Sequence, residues 1–494
     1  MYLRRSTRTK SRWTFNKTRK FLVAGIFIAA GLYGQAPDTL WTRLYGTPGY
    51  DYFLSAAETP DSAYIVSGMR YTSFSYKTWL LKVDLNGDTL WTRTYGLNNT
   101  VNVGYDVKPI TNGGYIITGY TVPYNSNNYD VLLIKTDGQG DTAWIRRFGG
   151  DTTDLCVSVD ETPDRGFITT GYTESFGNGS TDLWLIKVDT LGDWQFAKTL
   201  GGSYEESGNS VQTTRDSCFI VAGYNCSSSL HGMDGWLLKF NALGDTIWTK
   251  LISNGFYDNF FAARELTDGG YIITGWTLLA ETLSIDLSLI RTDSLGNVMW
   301  TKAYGGFDID AGFSVEPTPD HGFIVGGITY SFGNGGEDFW VLKTDSLGDT
   351  LWTKTLGSSA DDESQSLITT SDNGYLVTGS TMSFGAGYSD GWLVKLGYLG
   401  GSVERKSIPT ANWCQIMNNP VRGRVEFSIA LNTAANVSLK IYDATGRLYV
   451  RLFDGQMHAG EHRIKGPEYL NAGVYFFCLE TPIQRTTGKF VMVR

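Results

Sequence analysis

One pattern dominates this chain: a unit that recurs seven times at a nearly fixed interval. Trp41, Trp91, Trp144, Trp194, Trp248, Trp300 and Trp352 follow one another at 50 to 54 residues. The glycine closing each "GYIITG"-like run keeps stricter time. Gly68, Gly119, Gly171, Gly223, Gly275, Gly327 and Gly379 are 51 residues apart at the first step and 52 at every later one. So constant a period leaves almost no room for insertions, as expected when each unit packs on two neighbours.

Within a unit the residues read as four short strands. In the one opening at Asp154, these are 154–160, the β-branched run "GFITTGY" (166–172), the alternating "DLWLIKVD" (182–189) and "WQFAKTL" (194–200). Turns fall at Arg165-Gly166, Gly177-Asn178-Gly179 and Leu191-Gly192-Asp193. Short strands at such spacing are the all-β signature. Gly at 59 copies, aromatics at 14% and charged residues at only 18% suit strands and tight turns. Four strands repeated seven times predict a seven-bladed β-propeller over 38–400. A long β-solenoid is the rival, disfavoured because its coils are usually shorter than 52 residues.

The run "KVDLNGDTLW" (82–91), repeated as "KTDSLGDTLW" (343–352), carries K-x-D-x-x-G-D-x-x-W. It drifts at Asn241, Asn297 and the shifted Trp194. This motif resembles the tryptophan-docking motif of quinoprotein-type propellers. The resemblance implies a Trp on the outermost strand, packed between adjacent blades. The isolated first copy, "DTLWTRLYG" (38–46), would then complete the last blade, whose other strands end at "DGWLVKL" (390–396), and so hide an open sheet edge. Seven self-contained blades are the alternative phase. The chemistry of that family does not follow, since no vicinal Cys pair and no long insert is present. The motif order also differs from the sialidase box.

The period exposes two acidic columns. The first is Asp51, Asn102, Asp154, Glu206, Asp258, Asp310 and Asp362, each opening a first strand. The second is Asp130, Asp182, Asp234, Asp286, Asp338 and Asp390, with Lys77 in the first unit, each opening a third strand. In an antiparallel meander both columns fall toward one rim. An Asp at a strand start accepts N–H bonds from its own turn and so latches a loop. Clustered carboxylates also focus negative potential and suit a hard cation such as Ca²⁺, although no EF-hand-type loop is present. Both readings stay open at this stage, and the rim is the candidate binding surface.

Other chemistry is sparse. The four histidines His231, His321, His458 and His462 form no ligand pattern, and no G-x-S-x-G or Walker-type loop occurs. "SFGNGSTD" (175–182) and "SFGNGGED" (331–338) read as hairpin loops, not phosphate cradles. Carboxylate pairs for glycoside hydrolysis would be expected to stand out in one unit, and none does. Trp184, Trp236, Trp340 and Trp392 recur periodically, which favours packing over sugar stacking.

The N-terminus carries eight Lys/Arg in its first 20 residues, then an uncharged apolar run from Phe21 to Tyr33. That run is shorter than the ~20 residues a spanning helix needs, and 1–34 is read as a signal peptide. An uncleaved membrane anchor is the alternative. Without it, 33 basic groups face 50 acidic ones, a net charge of −17. Such a body repels nucleic acid and anionic membranes. Five cysteines lack metal-ligand spacing. Export would permit Cys218–Cys226 and Cys414–Cys478 bridges, leaving Cys156 free.

After Gly400-Gly401 the period stops. A linker (401–418) leads to 419–494, whose strands at 425–431, 437–443, 447–453, 462–465, 473–480 and 487–493 predict a small β-sandwich. "NNP" (418–420), "VSLKIYDATGRL" (437–448), "AGEH" (459–462), "LNAGVYFFCLE" (470–480) and the terminal "KFVMVR" (489–494) resemble the C-terminal sorting domain of the type IX (Por) secretion system. "HRIKGPEY" (462–469) and Cys478 depart from its usual pattern. The resemblance implies a partner in the outer-membrane secretion machinery and a secreted or surface location in a Gram-negative-type bacterium. An ordinary binding sandwich is the alternative. The expected function is a monomeric, non-catalytic adhesion module for a protein or glycan. A polysaccharide hydrolase or lyase is the second reading.

Overall fold

The structure, a computed structural model, describes residues 36–72, 75–97, 99–228, 232–279, 283–397, 413–416, 421–422, 424–431, 435–457, 460–467, 470–482 and 485–493. The expected signal peptide and most of the expected linker lie outside them. Every regular element among the described residues is a strand.

Seven four-stranded antiparallel sheets account for residues 39–396. The unit opening at Asp154 is representative, with strands Asp154–Glu161, Phe167–Thr173, Asp182–Val188 and Trp194–Leu200 pairing in sequence order. The two middle strands are buried along their whole length, which is why they read as continuous apolar and β-branched runs. The outer strand alternates exposed and half-buried residues, as an edge should. Each innermost strand carries a bulge at one fixed place, between Cys156 and Ser158 here. A bulge adds local twist and re-aims the following side chains.

The turn chemistry explains the repeated motif residue by residue. Asp189 accepts the N–H of Leu191 at 2.8 Å and of Asp193 at 2.9 Å, and Gly192 takes φ +80°. Asn241 does the same for Leu243 and Asp245, so an amide suffices where only an acceptor oxygen is needed. The motif lysines turn inward, and Lys82, Lys239, Lys343 and Lys395 pair with Asp61, Asp216, Asp320 and Asp372 of the first hairpin. The motif tryptophans pack at a tilt, with interplanar angles of 50–63°, against the aromatic near the start of the second strand of the next sheet. Trp41–Tyr64, Trp91–Tyr115, Trp144–Phe167, Trp248–Tyr271, Trp300–Phe323 and Trp352–Tyr375 all lie 5.9–6.4 Å apart.

The hydrophobic core is divided among the sheet junctions. Ile168, Leu183 and Leu185 of one sheet pack on Val211, Phe219 and Val221 of the next, and the same layer recurs around the molecule. Each such side chain contributes about 2 kcal/mol by leaving water. The layers run back to the start: Phe53, Tyr64 and Trp79 pack with Leu376 and Leu393. Strand Thr39–Tyr45 pairs with Asp390–Leu396, so the first segment completes the last sheet. The end-joined phase is therefore the one this chain adopts, and the arrangement is that of a β-propeller.

The C-terminal region forms a three-stranded sheet (413–416, 426–431, 460–465) and a five-stranded one (421–422, 435–443, 448–457, 473–480, 485–493). Phe427, Ile429, Leu439, Ile441, Phe477 and Phe490 make one core between them. Trp413–Ile416, read from sequence as linker, pairs with Glu426–Leu431. Of the bridges export would permit, neither is present among the described residues: Cys218, Cys226 and Cys478 are free thiols. Cys218 and Cys226 flank most of one extended strand, Phe219–Ser228. At ~3.3 Å per residue that separation far exceeds the ~7 Å limit for a disulfide.

Candidate functional site

Both acidic columns sit at the sheet junctions, and their carboxylates are engaged by loops. Asp51, Asn102, Asp154, Glu206, Asp258, Asp310 and Asp362 are all essentially inaccessible. In each acid of this column one oxygen accepts the N–H four residues back: Thr47, Gly150, Gly202, Asn254, Gly306 and Ser358 donate in turn. Ser175, Ser331 and Ser383 hydroxyls add a second bond at 2.6–2.7 Å to Asp154, Asp310 and Asp362. The second column repeats the device in the hairpin loops. Asn178, Asn334 and Ala386 N–H groups donate to Asp182, Asp338 and Asp390, and the Ser284 hydroxyl donates to Asp286. Asp130 is paired with Arg147. Asp234 alone is partly exposed. Of the two roles the sequence left open for these acids, the loop-latching one is seen here: a buried carboxylate must find donors, and the nearest are loop N–H groups.

The two columns also meet. Each second-column acid lies beside the first-column acid of the next sheet, with a loop glycine (Gly46, Gly149, Gly201, Gly305 or Gly357) pressed against both at every pair but Asp234 and Asp258, where Ser253 takes its place. A Cβ on Gly357 would stand 1.8 Å from Asp338 Oδ1 and 2.7 Å from Asp362 Oδ2, and one on Gly149 1.9 Å from Asp130 Oδ1 and 3.1 Å from Asp154 Oδ2. Burial pushes Asp130, Asp182, Glu206, Asp258, Asp286 and Asp338 above the usual carboxylate range, and at all of them but Asp182 the facing acid adds a smaller push in the same direction. At the one junction where Lys77 replaces the acid, its partner is the neutral Asn102, and the ammonium bonds the Leu97 carbonyl at 3.0 Å. Among the described residues no group of three or more Asp, Glu, His or Cys is placed to hold a metal ion. The Ca²⁺ reading therefore has pairs of acids to draw on, not a cage.

The axial strands of the first five sheets are linked by a further column. Asp106 accepts the Ser55 hydroxyl at 2.7 Å and the Val159 N–H at 3.1 Å, while Ser158 and Ser210 accept N–H groups of Val211 and Ala263. Lower in the same strands Arg264 pairs with Glu316 at 2.8 Å.

What departs from the repeat lies in the residues flanking the acids. Directly before and after the first-column residue stand Tyr50 and Tyr52 in one unit, Asp361 and Glu363 in another. Before the second column stand Tyr76, Tyr129, Thr181, Met233, Ile285, Glu337 and Ser389. The tyrosines converge. Tyr50, Tyr52, Tyr76, Tyr120 and Tyr129, with Met69, Val101 and Val122, line an open cavity of about 430 Å³ over the first two sheets. Tyr50 stacks on Tyr52 (6.4 Å, 2°) and on Tyr388 (5.2 Å, 14°). Tyr50 is 39% exposed and Tyr388 69%.

Beside this cavity lies an acidic group unique to one junction. The Tyr330 hydroxyl donates to Glu337 Oε2 at 2.7 Å, while Oε1 is buried without a partner. Burial, then Glu363, Asp361 and Asp362, raise the Glu337 carboxyl to about 8. Glu363, itself raised by burial, bonds the Gln365 amide at 2.6 Å. Tyr52, on the cavity wall, is pushed up to about 12 by burial, with the Glu363 charge adding to it. Neither the tyrosine group nor Glu337 was singled out from sequence. The available signal was irregularity within the columns beside the acids, not the acids themselves.

No known protein-family profile matches the chain, and no curated protein matches its sequence. Among solved structures, PorZ, an essential bacterial surface component of the type-IX secretion system of Porphyromonas gingivalis, aligns over 91% of this chain at 12% identity and a TM-score of 0.43. This chain spans 60% of the PorZ chain. Sqt1 from Chaetomium thermophilum aligns at 10% identity over 74% of this chain and 99% of its own, with a TM-score of 0.43. An endo-1,5-alpha-L-arabinanase from Thermotoga petrophila RKU-1 aligns at 11% identity over 70% and 99%, with a TM-score of 0.29. No residue role is carried over from any of them.

Proposed function

We propose that this chain is a non-catalytic binding module displayed outside a bacterial cell: a seven-bladed propeller (38–400) that takes its ligand at the tyrosine-lined mouth. One observation carries the reading. The repeated polar residues are engaged in holding blades and loops, whereas the mouth tyrosines sit at positions the repeat leaves free to vary. The C-terminal β-sandwich (419–494) acts as the sorting domain, supported by its sequence motifs, and the outer-membrane secretion machinery is its partner.

Two experiments test this. Removing residues 419–494 should abolish surface display or release while leaving the propeller folded in the periplasm; unchanged export would overturn the sorting role. Purified full-length protein should adsorb saturably to cells or extracellular matrix, and Tyr50→Ala with Tyr129→Ala should remove that adsorption.

Glu337 supports a second reading, a polysaccharide hydrolase or lyase. A carboxyl that keeps its proton near neutral pH, close to a second acid, is the general-acid arrangement of glycoside cleavage. Release of reducing ends from a polysaccharide panel, lost in Glu337→Gln, would establish it.

A further inference from the structure

We infer that the mouth is a site for an uncharged pyranose glycan, bound by stacking on the tyrosine rings. The inference rests on the binding reading above and specifies its ligand. Three features of the cavity lead to it.

The first is shape and surface. An open concavity of about 430 Å³ lined by five tyrosine rings is within the ordinary range for a small ligand or a segment of polymer. Tyr388, Tyr50 and Tyr52 lie nearly parallel in one stack, with interplanar angles of 14° and 2°. Tyr50 stands between the other two, so a ligand meets this stack at its edges and its end rings, beside Tyr76, Tyr120 and Tyr129 of the cavity wall. A pyranose ring offers an axial C–H face of matching flatness, and its hydroxyls offer both donors and acceptors to phenol groups. Tyrosine suits such a ligand because its ring is apolar and its tip is polar.

The second is charge. Among the described residues no Lys or Arg lines the cavity. Glu363 acts electrostatically on Tyr52, and Asp51 on Tyr76. The chain without residues 1–34 carries −17. A uronate or sulfated polymer would be repelled from such a mouth, so the glycan it accepts is neutral.

The third is dispensability to the fold. The columns holding Tyr50, Tyr52, Tyr76 and Tyr129 carry Val, Thr, Ser, Leu, Asn, Met, Ile, Ala, Asp or Glu in other units, and a tyrosine only at Tyr257, while the strands there are equally regular. Packing does not require tyrosine there.

Affinity electrophoresis of the full chain through gels containing neutral polymers (a glucan, a galactomannan, a xylan, an arabinan) or anionic ones (polygalacturonate, heparin) tests the inference. At least one neutral polymer should retard the wild type and the anionic ones should not. Tyr50→Ala and Tyr129→Ala should each weaken the retardation about tenfold, and the corresponding Phe variants should retain most of it. Tyr388→Ala, at a largely exposed ring, keeps the test valid if the other alanine variants melt early. Tyr449→Ala in the C-terminal region should have no effect. Retardation by anionic polymers alone, by none, or retardation indifferent to these tyrosines would overturn the inference. The matrix assay separates its failure from that of the binding reading. Adsorption lost in the tyrosine variants but removed by protease and resistant to polysaccharide digestion would leave the mouth as a binding site and make its ligand a protein. Adsorption indifferent to the tyrosines would end both.

Discussion

Glu337 and Asp216 show how burial and pairing pull single carboxyls in opposite directions. Glu337 holds its proton up to about 8, against ~4.3 for a free glutamate. Its protonated form is favoured by the fold, so its contribution is present below the unfolded value and is lost as pH rises through 8. The other raised acids at the junctions act in the same sense. The melting temperature should fall between pH 6 and pH 9, and Glu337→Gln should flatten that slope; an unchanged slope would show that the group is not the titrating one. Asp216 is the reverse case. Burial opposes its ionisation, but the Lys239 and Thr214 hydrogen bonds outweigh it and hold the carboxyl at about 2. Its contribution is present above the unfolded value and lost as pH falls toward 2. The buried lysines that make such pairs are unequal to their partners in exposure: the Lys343 side chain is 4% exposed, that of Asp320 27%. Asp320→Ala would strand a buried ammonium and should cost about 3 kcal/mol. Lys343→Met should cost less, because it removes the buried charge itself; urea unfolding of both variants distinguishes the two.

At the level of the strand, the outer element shows how far counting residues reaches. The seven tryptophans mark the period, yet one of them is not the docking residue. In the first sheet Lys82 stands opposite Trp91, whereas in the third Lys187 stands opposite Phe196. Phe196 packs with the core layer that holds Phe219, and Trp194 is 49% exposed. Strand register, which depends on the partner strand, assigns the slot. Trp352→Ala, at a buried docking position, should cost about 4 kcal/mol. Trp194→Ala should change stability by less than about 1 kcal/mol. Chemical denaturation of the two variants checks both, and equal losses would contradict the register argument. The strands of the representative unit and of the C-terminal region were legible to within a few residues, because alternation and turn residues act locally. Trp413–Ile416 was not, since a four-residue strand becomes recognisable only through its partner Glu426–Leu431.

For the whole molecule, closure is the decisive step. The segment from Thr39 to Tyr45 supplies the outer strand of the seventh sheet, Trp41 docks on Tyr64 of the first, and the Trp392 indole donates to Thr42 at 2.5 Å. Ring closure thus joins residues some 350 apart in sequence. Deleting residues 36–46 should leave the seventh and first sheets as the least protected in hydrogen exchange and lower the melting temperature. Uniform protection across all seven sheets would argue that closure contributes little. The repeat unit, its strands, the motif turn and the two acidic columns were all determined by sequence, because period, burial and turn chemistry are written in residues close together along the chain. The tertiary structure decided three things: that the acids latch loops in pairs between neighbouring sheets, that Asn102 answers Lys77, and that tyrosines from separate units share one mouth. Each joins positions in different repeats, and only the packing of one sheet against the next brings those positions within reach.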